Sequence, residues 1–335
     1  MSIFTNIREL ALSTFGGGGR MRRHKYRTMA GNANIYEIVY DDGELVRVMN
    51  VRGTYQSATY LEKDCYELVF GYHRAYNAMF KARPVMAGAG EDDASAWKAV
   101  RPEDSVELPA VHFRKPSDAA SPEGSGGEAP AIRKVAMLGG GGFSYPKYLI
   151  AHHPEVSVDV VEVDPMVVSI AQRWFYLDRL MAEFETEETG RLGIYVQDAR
   201  EFLEEPGARY DAIVNDCFSA RVPVMSLATR EAVHVIHSRL SEGGLFLTNV
   251  ISALRGPHAQ LLHRVMFTLQ QEFAHVYVIP GSEGLPRMVD NYVVIATDGT
   301  YAFDHEINVQ PDPETKILVD AYIDDYEDEF FLVDT

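Results

Sequence analysis

From Ile132 onward, short apolar runs alternate with segments of helical spacing, and this rhythm constrains the fold more than any other feature of the chain. The strand candidates are RKVAMLG, VSVDVVEVD, LGIYVQD, DAIVND and GGLFLTNV, with YVVIA later. Between several of them lie PMVVSIAQRWFYLDRLMAEF, TREAVHVIHSRL and HAQLLHRVMFTLQQEF. Strands alternating with helices of this length predict an α/β domain with a mostly parallel sheet covered on both faces. Ligands in such sheets sit beyond the carboxyl ends of the strands. The residues that fall there carry the functional reading.

The first strand candidate runs into Gly139, Gly140, Gly141 and Gly142. The second ends in VEVDP, with Glu162 and Asp164 at its tip. The next two end at Asp198-Ala199 and at Asp216-Cys217. One acid capping a strand end before a helix is ordinary structure. Glycines followed by three successive carboxylates at one edge describe a pocket. Backbone at the glycines lets a ligand lie against the first turn. Glu162, 23 residues after Gly139, is placed to accept both hydroxyls of a ribose. Asp198 can accept from an adenine amino group while the backbone amide of Ala199 answers a ring nitrogen. The rival is a dinucleotide site, but Ser144 stands where the third glycine of GxGxxG belongs, and no further phosphate loop follows. An adenosine without a pyrophosphate is the expected ligand.

The rest of the chain divides around this domain. Residues 1–34, with GGGGRMRRHKYR, read as a flexible basic arm. Residues 35–86 read as a small β-rich domain: IYEIVY and ELVRVMNV flank Asp42-Gly43 as a hairpin, and helical spacing of Tyr66, Val69, Phe70, Tyr76, Met79 and Phe80 closes it. Residues 87–130 read as a low-complexity linker or insertion, residues 131–305 as the nucleoside-binding domain, and residues 306–335 as a solvated acidic tail. From Pro311 that tail holds nine carboxylates against one lysine. The net charge of −18 excludes nucleic acid as an expected partner. The longest stretches free of charged side chains, such as Gly243–Leu254, fall short of the ~20 residues of a membrane span, so no membrane insertion is expected. MSIFTNIREL lacks the order of a signal peptide. Cys65 and Cys217 suggest neither a disulfide framework nor zinc, and the expected home is the reducing cytoplasm.

The motifs RVMNVRGTYQ, CYELV, MLGGGG, VEVDP, QDAREFL, YDAIVNDCFSARVPVMSL and LSEGGLFLTN resemble the spermidine synthases, or polyamine aminopropyltransferases, and more closely their divergent spermidine-synthase-like branch. The likeness spans Ile35 to Ala296 without the 87–130 segment. It implies a Rossmann-like, class I S-adenosylmethionine-methyltransferase-type domain behind a small, often dimer-forming N-terminal β-rich domain. It implies decarboxylated S-adenosylmethionine as donor, 5′-methylthioadenosine as product and a small-molecule amine as acceptor. Carried over by residue, Gln56, Gly139, Gly140, Gly141, Glu162, Asp198, Ala199 and Pro223 face the donor, and Asp216 takes the catalytic aspartate's place as proton acceptor.

The amine half departs from the family pattern. Gly142 and Ser219 stand where the family has aspartates, and Cys65-Tyr66 before Glu67 stands at its Tyr-His pair. Tyr66, Glu67 and Ser219 are thus the expected substrate-binding positions. Tyr55, Tyr60, Tyr66 and Tyr72 either line the acceptor side or belong to the core. Cys217 has no evident base and is not expected to be a nucleophile. His152-His153 and His234 with His237 lack the further ligands a metal wants, so no metal is expected. Two other readings use the same scaffold: an S-adenosylmethionine-dependent methyltransferase, and a non-catalytic protein that binds thioadenosine or S-adenosylmethionine.

Overall fold

The computed structural model describes residues 23–85, 131–219, 222–282, 287–309 and 315–329. The 87–130 linker, most of the N-terminal arm and parts of the acidic tail lie outside them. Four antiparallel strands open the described chain in the order β1 (His24–Thr28), β2 (Gly31–Val39), β3 (Leu45–Val51) and β4 (Thr54–Tyr60). The expected hairpin joins β2 to β3: Gly43 takes φ +84° and the Glu44 amide donates to Asp42 Oδ1 at 3.0 Å, as an Asx turn does. The arm, however, is not flexible through residue 34. His24–Thr28 and Gly31–Val39 are strands, and HKYRT reads as polar because β1 is a sheet edge with alternating side chains exposed.

A second expectation changes after β4. Residues 66–70 are not helical; only α1 (Gly71–Ala75) is, followed by a 3-10 turn over Tyr76–Phe80. Phe70 is extended at φ −79°, ψ 138°, and Arg74 Nη2 donates to the carbonyl of Leu68 at 2.6 Å, holding the bend open. A side chain at Gly71 would run into the carbonyl oxygen of Gly281. The chain thus turns where it must press against the other domain.

That domain is built on β6 (Lys134–Leu138), β7 (Ser157–Val161), β8 (Leu192–Tyr195), β9 (Tyr210–Asn215), β12 (Leu240–Ser252), β13 (His275–Pro280) and β14 (Asp290–Thr297). The short pairs β5 (Arg83–Pro84) with β15 (Tyr301–Ala302), and β10 (Phe218–Ser219) with β11 (Val222–Pro223), stand apart from it. Sheet order is β13-β14-β12-β9-β6-β7-β8. The run from β12 to β8 is parallel, and β14 is antiparallel to both neighbours. Strand order reverses between β6 and β9, the crevice where such sheets take ligands. One apolar cluster fills each face, as two-sided burial of KVAML and YDAIVN demands. HVYVIP, the outer strand β13, is an addition that the sequence reading passes over.

Further helices are α2 (Ser144–His152), α3 (Pro165–Trp174), α4 (Leu177–Glu183), α5 (Ala199–Glu204), α6 (Arg230–Ser238), α7 (Gln260–Leu269) and α8 (Ile323–Glu329); α3 with α4, α6 and α7 follow the expected segments. The long PMVVSIAQRWFYLDRLMAEF run breaks into α3 and α4 at Tyr176, which sits at φ +61°. The acidic tail, in turn, is not simply solvated. Leu318 is fully buried, and Ile307, Val309 and Tyr326 join it in the core. The Leu318 amide donates to Thr268 Oγ1 at 2.9 Å, and its carbonyl accepts from the Arg230 amide at 2.8 Å. Asp320 accepts from Thr229 Oγ1 at 2.5 Å. The tail clamps α6 and α7, and Tyr326 lies under the Arg264 guanidinium.

Lys147 on α2 ties the two domains. Its buried Nζ reaches Thr59 Oγ1 at 3.3 Å, the Cys65 carbonyl at 3.1 Å and the Phe175 carbonyl at 2.5 Å. Burial pushes its pKa down to about 7 from 10.5. Between those values the unfolded chain keeps a proton that the folded chain has lost, so stability rises with pH across the window and is lowest below it. Urea unfolding of wild type minus Lys147→Met at pH 6.5 and pH 9.5 should show the variant losing about 3 kcal/mol of this rise.

Candidate functional site

Where β4, α1 and the carboxyl ends of β9 and β12 meet, a cleft opens with a cavity volume of about 130 Å³. Asp216, just past β9, lines it together with Gln56, Tyr72 and Asn249. The Asp216 carboxylate is surrounded. Tyr72 donates its hydroxyl to Oδ2 at 3.2 Å, His73 Nε2 stands 3.3 Å from the same oxygen, and Asn249 Nδ2 donates to Oδ1 at 3.1 Å. Burial, then the neighbouring Asp216 charge, pushes the Tyr72 hydroxyl well above its ordinary pKa, so it remains a donor. The Asp216 side chain is 12% exposed, open to the cleft and little to bulk water.

The glycine bend next to it answers to the protein as well as to any ligand. Gly139 sits at φ +92°, and a Cβ there would lie 2.7 Å from the backbone oxygen of Asp216. Glycine is thus what lets β9 deliver Asp216 against the bend. At Gly142 a Cβ would lie 2.8 Å from both Phe175 Cδ1 and Ser57 Cβ, while its amide donates to Ser57 Oγ at 2.6 Å. The position where the family resemblance calls for aspartate is filled by β4 and the end of α3.

Glu162 lies at the tip of β7, buried. Its Oε2 accepts from the amides of Gly140 and Gly141 at 3.0 and 3.1 Å, and its Oε1 from the amide of Asp164 at 3.0 Å. Burial raises its pKa despite these three donors. Of the roughly four acceptor positions of a carboxylate, about one stays open. Asp198 caps α5, Oδ1 accepting from the amides of Arg200 and Glu201 at 2.7 and 3.1 Å, with Ala199 buried behind it. Asp164 is structural: it caps α3 through the Met166 amide at 2.8 Å and fastens the β1–β2 turn through the Met29 amide at 2.5 Å. Of Glu162, Asp198 and Asp216, Asp216 alone lines the cleft; burial, then the charges of Glu162, Asp216 and Asp198, push the Cys217 thiol well above its ordinary pKa. A thiolate nucleophile is disfavoured there.

The expected substrate-binding residues are not gathered at the cleft. Tyr66 donates to Glu183 Oε2 at 2.6 Å, Glu67 pairs with His152 Nε2 at 3.0 Å, and neither lines the cavity. The backbones of Ser219 and Pro223 belong to the β10–β11 hairpin; their side chains lie outside the description. A Tyr-His pair does stand at Asp216, but it is Tyr72-His73, set on α1 by the bend at Gly71, and not Cys65-Tyr66. Of the four tyrosines, Tyr55 and Tyr72 line the cleft, whereas Tyr60 donates to Asp42 Oδ2 at 2.5 Å. His73, Asn249 and Ser57 escape sequence reasoning; the only written signal is the dipeptide Tyr-His itself. His234 and His237 pair with Glu272 and Asp298 at 2.9 and 2.7 Å. Among the described residues no three His, Cys, Asp or Glu side chains group as metal ligands would, and no helix is long and apolar enough to cross a membrane.

Comparison with known proteins gives the following. The family model of the spermine/spermidine synthase domain matches residues 125–284. The polyamine aminopropyltransferase of Vibrio vulnificus (strain CMCP6) is 30% identical over 142 residues, covering 41% of this chain and 44% of that protein. The spermine synthase of Arabidopsis thaliana is 25% identical over 181 residues, covering 53% and 48%. The chain thus spans about half the length of these curated relatives. Among solved structures, a probable spermidine synthase from Corynebacterium glutamicum ATCC 13032 superposes with a TM-score of 0.57 at 19% identity, covering 83% of this chain and 80% of that one. The two share a fold.

Proposed function

We propose that this chain, whose residues 125–284 match the spermine/spermidine synthase domain, transfers an aminopropyl group from decarboxylated S-adenosylmethionine to an amine and releases 5′-methylthioadenosine. The observation that carries this reading is Asp216, held at the cleft by Tyr72, His73 and Asn249, beside the glycine bend and Glu162. Glu162, Asp198, Gln56 and the glycines serve the nucleoside. The acceptor enters this cleft.

The reaction is a displacement at carbon. The nitrogen lone pair forms a C–N bond as the C–S bond breaks, and its electron pair returns to sulfur, neutralising the sulfonium. A free alkylamine has a pKa near 10.4, about six units above a carboxylic acid, so Asp216 cannot strip its proton outright. It can hold the ammonium, align it and receive the proton as nitrogen commits to carbon. His73, 3.3 Å behind the same oxygen, is the next station for that proton. Homodimer formation and a cytoplasmic location belong to the same proposal.

Calorimetry with decarboxylated S-adenosylmethionine, S-adenosylmethionine and methylthioadenosine, followed by product analysis with a panel of amines, tests it. The expected result is amine-dependent release of methylthioadenosine. Binding without release rejects catalysis, and methyl transfer from S-adenosylmethionine moves the chain to the methyltransferases.

A further inference from the structure

The cleft carries a second carboxylate that none of the sequence motifs contains. Asp290, the first residue of β14, lines the cavity and is 9% exposed. Ser282 donates its hydroxyl to Oδ2, and the Asn291 amide donates to Oδ1 at 2.8 Å. Two donors leave about two acceptor positions unused. Among the described residues no lysine, arginine or histidine pairs with Asp290. A buried carboxylate without a cation is costly, and here the shortfall faces a cavity.

Asn249 makes a second, independent observation. A carboxylate accepts only, so the amide nitrogen must be the atom that faces Asp216, and this fixes the orientation of the Asn249 side chain. Its Oδ1 is then an acceptor, buried and without a partner. Asn249 pairs with Val293 and Ser252 with Asp290 in the β12–β14 register. Asp290 is therefore displaced from Asn249 by three residues, roughly 10 Å of strand rise. Beside Asp216 the wall thus offers an unfilled acceptor for an N–H group. Tyr40, Tyr55 and Phe70 line the same space, and aromatic faces favour cations.

We infer that Asp290 holds the ammonium group remote from the reacting nitrogen of an extended diamine, and so sets the acceptor specificity in place of the carboxylates absent at Gly142 and Ser219. This rests on the aminopropyl-transfer reading. Asp216 receives the reacting nitrogen, and the Asn249 carbonyl oxygen accepts one of the N–H bonds of that same nitrogen.

The test compares wild type with Asp290→Asn on a diamine and on a monoamine of equal length. The ratio of their kcat/KM values should fall roughly tenfold to a hundredfold, mainly through the KM of the diamine, with methylthioadenosine affinity within twofold. Equal losses on both amines, or none, overturn the assignment. Asp290→Ser serves if the asparagine variant folds poorly. Should wild type release no thioadenosine with any amine, the catalytic reading fails instead. Titration of the diamine into the methylthioadenosine-bound protein then decides Asp290 alone: binding weakened by the same factor in the variant supports it, and unchanged or absent binding overturns it.

Discussion

Asp216→Asn is expected to lower aminopropyl transfer by roughly 10²- to 10⁴-fold, the range that a positioned acid-base group supplies. Asparagine keeps the shape and can still accept from Tyr72, so the constellation of Tyr72, His73 and Asn249 has no steric reason to rearrange. What it removes is the negative charge that, in the proposed mechanism, holds the incoming ammonium, and the oxygen that takes its proton. In the proposed reading the nucleoside is served by other residues, Glu162 with its three amides and Asp198 at the start of α5. Methylthioadenosine affinity should therefore stay within a few-fold. Thioadenosine release at saturating donor, set beside calorimetry, separates the outcomes. Loss of turnover and of binding together would make Asp216 a structural acid of the β9 end.

Gly142→Asp, the substitution that places there the aspartate implied by the family resemblance, is expected to lower the thermal midpoint by about 10 °C or more and to leave acceptor affinity unimproved. The backbone is not the obstacle, since Gly142 is not among the positive-φ residues. The obstacle is space. A Cβ falls 2.8 Å from Phe175 and from Ser57, both buried, and the carboxylate beyond it would enter a region without a counter-ion from either residue. Phe175 in turn fixes the carbonyl that Lys147 holds, so yielding there loosens the join between the domains. Differential scanning fluorimetry and amine titration check this. An unchanged midpoint with tighter amine binding would show that the bend gives way and that position 142 still belongs to the amine site.

These two residues also mark how far the sequence can be read. Asp216 and Glu162 are legible because strands buried on both faces are continuous apolar runs, and the first carboxylate after such a run must lie at the sheet's edge. Gly142 is legible as a departure, but its cause is not, because Ser57 is 85 residues away and nothing in TYQSATY announces which hydroxyl meets the bend. Asn249 and Asp290 stay hidden for the same reason: the pairing of β12 with β14 brings both to one cleft, three residues apart in register, and each is a polar residue at or within a strand. The edge strand β1 hides behind its charges. The tail's docking hides because half of it is backbone, with Leu318 exchanging amide and carbonyl with α6 and α7. Tyr66 and Glu67 mislead because CYELV matches by letters, whereas the bend at Gly71 delivers the next Tyr-His pair to the acid.

The Ser57–Gly142 contact has a consequence for any dissection of this protein. The four-stranded sheet is not a detachable ornament on a self-sufficient nucleoside-binding module. A fragment starting at residue 131 would forfeit the hydroxyl that anchors the Gly142 amide, bare one side of Phe175, and strip Lys147 of two of its three oxygen partners. Half of the pocket's masonry comes from the neighbour, and the two halves stand or collapse as one unit.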